Sequence, residues 1–215
     1  MIHGTFGTGS GVLLIAPVRG LASEAPKTIA ALESFAPARV GLGVSLDELR
    51  SLHDYFVVGE GEPVVPLTSN ETSEVRGLVR FGEVRVPNPS FVEVLRWAWS
   101  RGSTVEALDP DEDRTAALFA EHIGYFELVR RTVRERRVAR SPPAPSSPDE
   151  FALEWDQEVA AGRGSRDYAE ARDRYLVERL SELAAQGTSV AAVIDRERFD
   201  SVRSLLTAGT PASVR

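Results

Sequence analysis

The feature that most constrains this chain is a series of short apolar runs, each followed by a helical pattern. The first is Val12-Leu13-Leu14-Ile15-Ala16-Pro17-Val18, and its length and flanks indicate a buried strand. Residues 24–36 then carry helical periodicity, with Ser23 in an N-cap position and Ile29, Leu32 and Phe35 along one face. A second strand is expected around Arg39–Val44. Ser45-Leu46-Asp47-Glu48, close to a capping box, opens another helix. Strand, helix, strand, helix at this spacing predicts βαβ units and a parallel sheet.

The remainder is uneven. Residues 59–90 contain several Gly and Pro, which predicts short strands and loops with a hairpin ending near Val84-Arg85-Val86. Phe91–Arg101 reads as an apolar, Trp-rich helix closed by Gly102. Thr104–Leu108 reads as a strand and Asp109–Asp113 as a turn with helix-start acids. Thr115 to about Arg140 reads as one long helix, ended by the Pro/Ser segment Ser141–Pro148. Helices are predicted over Glu150–Ala161 and Tyr168–Gln186, a last strand over Ser189–Ile194, and a last short helix over Ser201–Leu206. The last strand needs a sheet to join, so the Pro/Ser segment belongs to an excursion within one domain. The expected architecture is a single α/β domain over residues 12–206. It has a mostly parallel central sheet, helices on both faces and an extended helical excursion. Residues 1–11 are expected as a flexible glycine-rich lead-in and 207–215 as a loose tail.

Composition narrows the function classes. The chain is 215 residues long, room for one sizeable core. It is 42% apolar and 27% charged, a globular rather than a disordered balance. It has no cysteine, so disulfides, Cys-based zinc sites, iron–sulfur clusters and thiol nucleophiles are excluded. A net charge of −7 lacks the basic footprint of a nucleic-acid-binding domain. No run approaches the roughly 20 apolar residues that span a bilayer, and no secretory leader pattern is present, so no membrane partner is expected and the expected location is the cytoplasm.

Individual motifs have plain readings. The glycines Gly4, Gly7, Gly9 and Gly11 precede the first strand, and no Gly-Lys-Ser/Thr follows them. They suit a flexible start better than a phosphate loop. His3, His53 and His122 have no partner at metal-ligand spacing. The basic run Arg130, Arg131, Arg134, Arg136, Arg137 and Arg140 has no interleaved aromatics for base stacking. It is read as a solvated helix C-terminus. Asp109, Asp111, Glu112 and Asp113 follow a strand. They are placed equally well for ligand binding beyond a strand end and for ordinary helix capping.

Three segments, in order, resemble a known family. Leu14-Ile15-Ala16-Pro17-Val18-Arg19, a helix, and Val40-Gly41-Leu42-Gly43-Val44 resemble the opening of TraB/PrgY-like proteins. The stretch Trp97–Asp109, with Asp113-Arg114-Thr115 after it, is similar to the family's central strand and acidic turn. Arg172-Asp173-Arg174-Tyr175-Leu176 and Val190–Arg198 are similar to its penultimate helix and final strand. The resemblance covers most of residues 12–206. It implies an α/β fold of the Tiki and erythromycin-esterase/ChaN-like grouping, whose members with a proposed activity are metal-dependent hydrolases acting on peptides. Their metal site uses two Gly-x-x-His motifs, one after the first strand and one after the last, and a glutamate at the end of the second strand.

This chain departs at each of those positions. Arg19 stands where the first histidine is implied, Arg198 where the second is, and Gly43 at the glutamate position. A guanidinium stays protonated and cannot ligate a metal. The resemblance therefore implies a non-catalytic relative with no metal and no cofactor, in which Arg19, Arg172, Arg198 and Asp109 form a binding site. A small anion or a peptide is the expected ligand. The competing expectation within that site is that internal acids such as Asp109, Asp195 or Glu197 hold the arginines. An alternative function is a divergent metal-dependent hydrolase using carboxylate ligands such as Asp109, Asp111 and Asp195. A homodimer is expected on base rate.

Overall fold

The computed structural model describes residues 1–6, 11–58, 69–141 and 143–209. Among them, five strands form one sheet: β1 (Ile2–Phe6), β2 (Val12–Ala16), β3 (Arg39–Leu42), β4 (Thr104–Ala107) and β5 (Val190–Val193). The order across the sheet is β1-β2-β5-β3-β4. Strands β2, β5, β3 and β4 run parallel, and β1 pairs antiparallel with β2, Ile2 opposite Ala16 and Phe6 opposite Val12. The chain is thus a single α/β domain with a mostly parallel sheet and helices around it, as the sequence predicts.

Strands β2 and β5 are apolar throughout, and β3 beyond Arg39, because both their faces are covered, whereas the edge strand β4 is only partly buried. On one face Leu13, Ile15, Val40, Leu42, Ala191 and Val193 pack under α1 (Ala25–Phe35), α2 (Leu46–Val58) and α4 (Pro89–Arg101). On the other, Val12, Leu14, Ala16, Val190, Ala192 and Ile194 pack under α8 (Arg163–Ala184) and α9 (Phe199–Gly209). Alternate residues of each strand point to opposite faces, so one apolar run fills two cores.

A third core lies beyond the carboxyl end of β2. Val18 and Leu21 meet Leu78 of α3 (Ser69–Leu78), Val138 of α6 (Tyr125–Arg140), and Phe151, Trp155 and Val159 of α7 (Pro148–Val159). Phe151 is fully buried and stacks on Trp155. Gly77 sits so close to the Phe151 ring that a Cβ there would overlap it. Packing of this kind brings the helical excursion back to the loop that follows β2.

Local signals explain several helix ends. Ser45 and Glu48 form a complete capping box: the Glu48 amide donates to Ser45 Oγ at 3.2 Å, and the Ser45 amide to Glu48 Oε2 at 2.9 Å. Ser147 accepts from the Glu150 amide and starts α7 at Pro148, before the predicted Glu150. Gly102 closes α4 with a positive φ of 64°.

Other expectations are corrected. Residues 2–6 are not a flexible lead-in but an edge strand, held because its backbone completes the free side of β2. Of the glycine pattern, Gly7 and Gly9 lie outside the described residues. The predicted hairpin before Val86 is absent among the described residues; α3 and a 3-10 turn occupy 69–81, and Val84 makes a single bridge to Leu21. The predicted helix from Thr115 to Arg140 is two helices, α5 (Glu112–His122) and α6. The break follows from extended backbone at Ile123 and Gly124, with Ile123 buried. The last helix runs through residues 207–209, which were expected as tail. Residues 210–215 lie outside the described residues.

Candidate functional site

In an open parallel sheet, ligands bind beyond the carboxyl ends of the strands, where the following loops diverge. Here those ends deliver charged residues. The loop after β2 delivers Arg19, β4 leads into Asp109, and β5 leads into Asp195, Arg196, Glu197 and Arg198. Asp109 is fixed by its backbone, since its amide donates to the Val44 carbonyl at 3.0 Å and continues the β3–β4 ladder. A 3-10 turn at Arg196–Arg198 follows Asp195, whose carbonyl accepts from the Arg198 amide at 3.1 Å.

Three of the four predicted residues come together. Arg172 Nη2 and Arg198 Nη1 both donate to Asp109, and Arg198 Nε donates to Asp173 Oδ1 at 2.8 Å. Asp109 and Asp173 are buried, Arg198 is mostly covered, and Arg172 is a third exposed and lies beside the Tyr168 ring. Burial opposes the charge on Arg198, but the Asp109 and Asp173 carboxylates hold it above its ordinary pKa. Arg172 and Arg198 are therefore neutralised by internal acids and do not converge with Arg19 as three free cations.

Arg19 is different. It forms no hydrogen bond or ion pair within reach among the described residues. Its side chain is exposed, yet the surrounding protein opposes its charge by partial desolvation. Its strongest electrostatic neighbour is Asp195, followed by Glu74 of α3, Glu197 and Glu48 of α2; these acids raise its pKa.

The carboxyls around Arg19 are crowded and desolvated. Asp195 is about nine-tenths buried, and its Oδ1 has no hydrogen-bond partner among the described residues. Burial raises its pKa, with Arg19 and Arg198 opposing the rise and Asp109 adding to it. Burial pushes Glu197 up to about 8, with Asp195 contributing. It pushes Glu74 up to about 7, against the pull of Arg19. Asp156 of α7 is also raised, by burial and by Asp173. Glu74 was invisible in the sequence because its helix was not recognised there. Asp173 sits next to Arg172 in the segment that resembles the TraB pattern, and that adjacency was the available signal.

The implied metal site does not fit these residues. Among the described residues, no group of three or more His, Cys, Asp or Glu could hold a metal ion. Asp109 is engaged by two arginines, and Asp111 caps α5 by accepting from the Arg114 amide at 2.8 Å. At Gly43, a Cβ would press against Ile194, with its Cα 3.3 Å away, so a glutamate there would require the strand ends to shift. His53 stacks on the exposed Trp99. No described helix is long and apolar enough to cross a membrane.

No family model matches the chain, and no curated protein matches it either.

Proposed function

We propose that this chain is a TraB-like α/β domain that acts by binding a small ligand or peptide end at the carboxyl edge of its sheet. An anionic group of the ligand rests on Arg19. The single observation that carries this reading is Arg19 itself: an exposed guanidinium on the loop after β2, with no hydrogen bond or ion pair among the described residues. Guanidinium is the natural partner for a carboxylate or phosphate. The Asp109–Arg172–Arg198–Asp173 network ties α8 to the strand ends.

The test is a thermal-shift screen of wild type and R19A against small carboxylates, phosphates, amino acids and short peptides. At least one compound should stabilise wild type and lose its effect on R19A. If every stabiliser acts equally on R19A, or none is found, the reading fails.

A second reading, acid–base catalysis on the bound ligand, is favoured by Glu74 and Glu197, which keep protons near neutral pH. It requires that E197Q abolish turnover of the bound compound while leaving its affinity intact. Unchanged turnover in E197Q would remove Glu197 from such a role.

A further inference from the structure

Helix α6 is built inside out. The side turned to the protein carries charge: Glu127 accepts from the Gly164 and Ser165 amides, and Arg131 pairs with Glu135 at 3.0 Å. The outward side carries the apolar residues. Phe126 and Tyr125 are 80% and 76% exposed, more than any other large apolar side chain among the described residues, and their rings meet edge to face. Leu128, Val129 and Val133 are exposed as well. A helix that meets only water on its outer side carries the reverse pattern. An exposed apolar cluster of this kind marks a surface that something else covers.

The arginines complete the pattern. Residues four apart share one face of a helix. Three such rows point outward: Tyr125-Val129-Val133-Arg137, Leu128-Thr132-Arg136-Arg140 and Phe126-Arg130, and every member is exposed. Each row begins apolar and ends in arginine. No acid stands in these rows, and Arg130, Arg136, Arg137 and Arg140 have no ion pair among the described residues. A solvated helix C-terminus accounts for cations in the last turn. It accounts neither for Arg130 and Arg136, which precede that turn, nor for the apolar turns before them.

The occupant of this face has to be apolar and anionic side by side. A second copy meeting it with its own α6 would set arginine against arginine with no acid between them. Nucleic acid would answer the arginines but leave Leu128, Val129 and Val133, which offer no ring for a base to stack on. The two aromatic rings project from the crest of a single helix, and a fluid headgroup layer accepts them without a matching pocket. We propose that α6 lies on an anionic lipid surface, with Tyr125 and Phe126 entering the headgroup–acyl boundary and Arg130, Arg136, Arg137 and Arg140 meeting lipid phosphates. A helix lying in the interface needs no spanning segment. The chain as a whole carries a charge of −7. Exposed charges farther than about 10 Å from the surface are largely screened at about 0.1 M salt, so the arginines nearest the lipid decide the sign. The proposal is independent of the binding reading above.

The experiment is flotation of the full chain with vesicles of phosphatidylcholine, alone or with about one third phosphatidylglycerol, at low and high salt. Wild type should partition onto the anionic vesicles about tenfold more strongly than onto the neutral ones, and high salt should remove most of that preference. F126S and R136E/R137E should each lower the partition coefficient about tenfold. The charge-matched control R96E/R101E, at two exposed arginines of α4, should leave it unchanged. All three positions changed on α6 are exposed, and circular dichroism checks that the variants stay folded. Equal binding to neutral and anionic vesicles would overturn the proposal, and so would binding that F126S and R136E/R137E leave intact. Absence of vesicle binding would also overturn it. In that case a concentration-dependent dimer dispersed by F126S would assign the face to a second copy, and retention of a single-stranded oligonucleotide lost in R136E/R137E would assign it to nucleic acid.

Discussion

The carboxyl groups at the sheet edge make a prediction about stability that needs no ligand. Glu74 and Glu197 have folded-state pKa values of about 7 and about 8, against an ordinary value of 4.5. Between those limits the folded chain binds more protons than the unfolded chain. Stability therefore falls as pH rises. The contribution is fully present below the unfolded value and is lost as pH rises through 7 and then 8. Each pKa unit corresponds to about 1.4 kcal/mol, so moving from pH 8.5 to pH 6.0 should add on the order of 4 kcal/mol. Asp195, also raised, acts with the same sign. Carboxylates whose pKa is lowered, such as Glu127, lose their contribution only at lower pH, outside this window. The assay is urea denaturation at pH 6.0 and 8.5, on wild type and on E197Q. E197Q cannot ionise, so it should be more stable than wild type at pH 8.5 and show a shallower pH dependence. Stability that is flat or higher at pH 8.5 would refute the reasoning, and so would an E197Q slope equal to that of wild type.

Three further predictions address the frame of the site. D109A leaves the mostly covered Arg198 with one carboxylate instead of two, and should cost about 3–5 kcal/mol by urea denaturation; a loss under 1 kcal/mol would contradict the network. Glu127 of α6 accepts from the Gly164 and Ser165 amides and caps α8 from outside, so E127A should cost about 1 kcal/mol and speed amide exchange at the start of α8. G43A forces a Cβ toward Ile194 and should cost about 1–3 kcal/mol, whereas a neutral result would show that the strand ends can yield.

The parts of the fold legible in the sequence are those with both a local and a tertiary signal. Strands β2 and β5 are buried on both faces, which leaves the continuous apolar runs Val12–Ala16 and Val190–Val193. The capping box at Ser45 and Glu48 was readable because its hydrogen bonds are local. By contrast, β1 is glycine-bearing and exists through its pairing with β2, which no local pattern announces. The α3 helix is mostly polar and is anchored by Leu78 in the third core, so its packing rather than its periodicity places it. The break at Gly124 was missed because the charged residues on either side suit a helix.

The site follows the same division. Asp109, Asp195 and Arg198 stand just beyond strand ends, and the sequence places them in one region once the sheet is parallel. The sequence does not say which acid holds which arginine. Asp109 engages both Arg172 and Arg198, residues far apart in the chain, and Arg19 is left facing Asp195 and Glu74. That choice is made by the packing of α8 against β5 and of α3 against the loop after β2.

The most direct test of the binding site is an NMR titration that follows backbone amides and arginine side-chain Nε–Hε signals. Diglycine and, separately, inorganic phosphate would be added to the full chain at millimolar concentration. The account predicts saturable shifts, for at least one of them, at Arg19, Glu74 and residues 195–198, with the exposed Arg96 and Arg101 unmoved. Saturable shifts confined to the α6 arginines, such as Arg130 and Arg136, or no saturable shift with either compound, would contradict it.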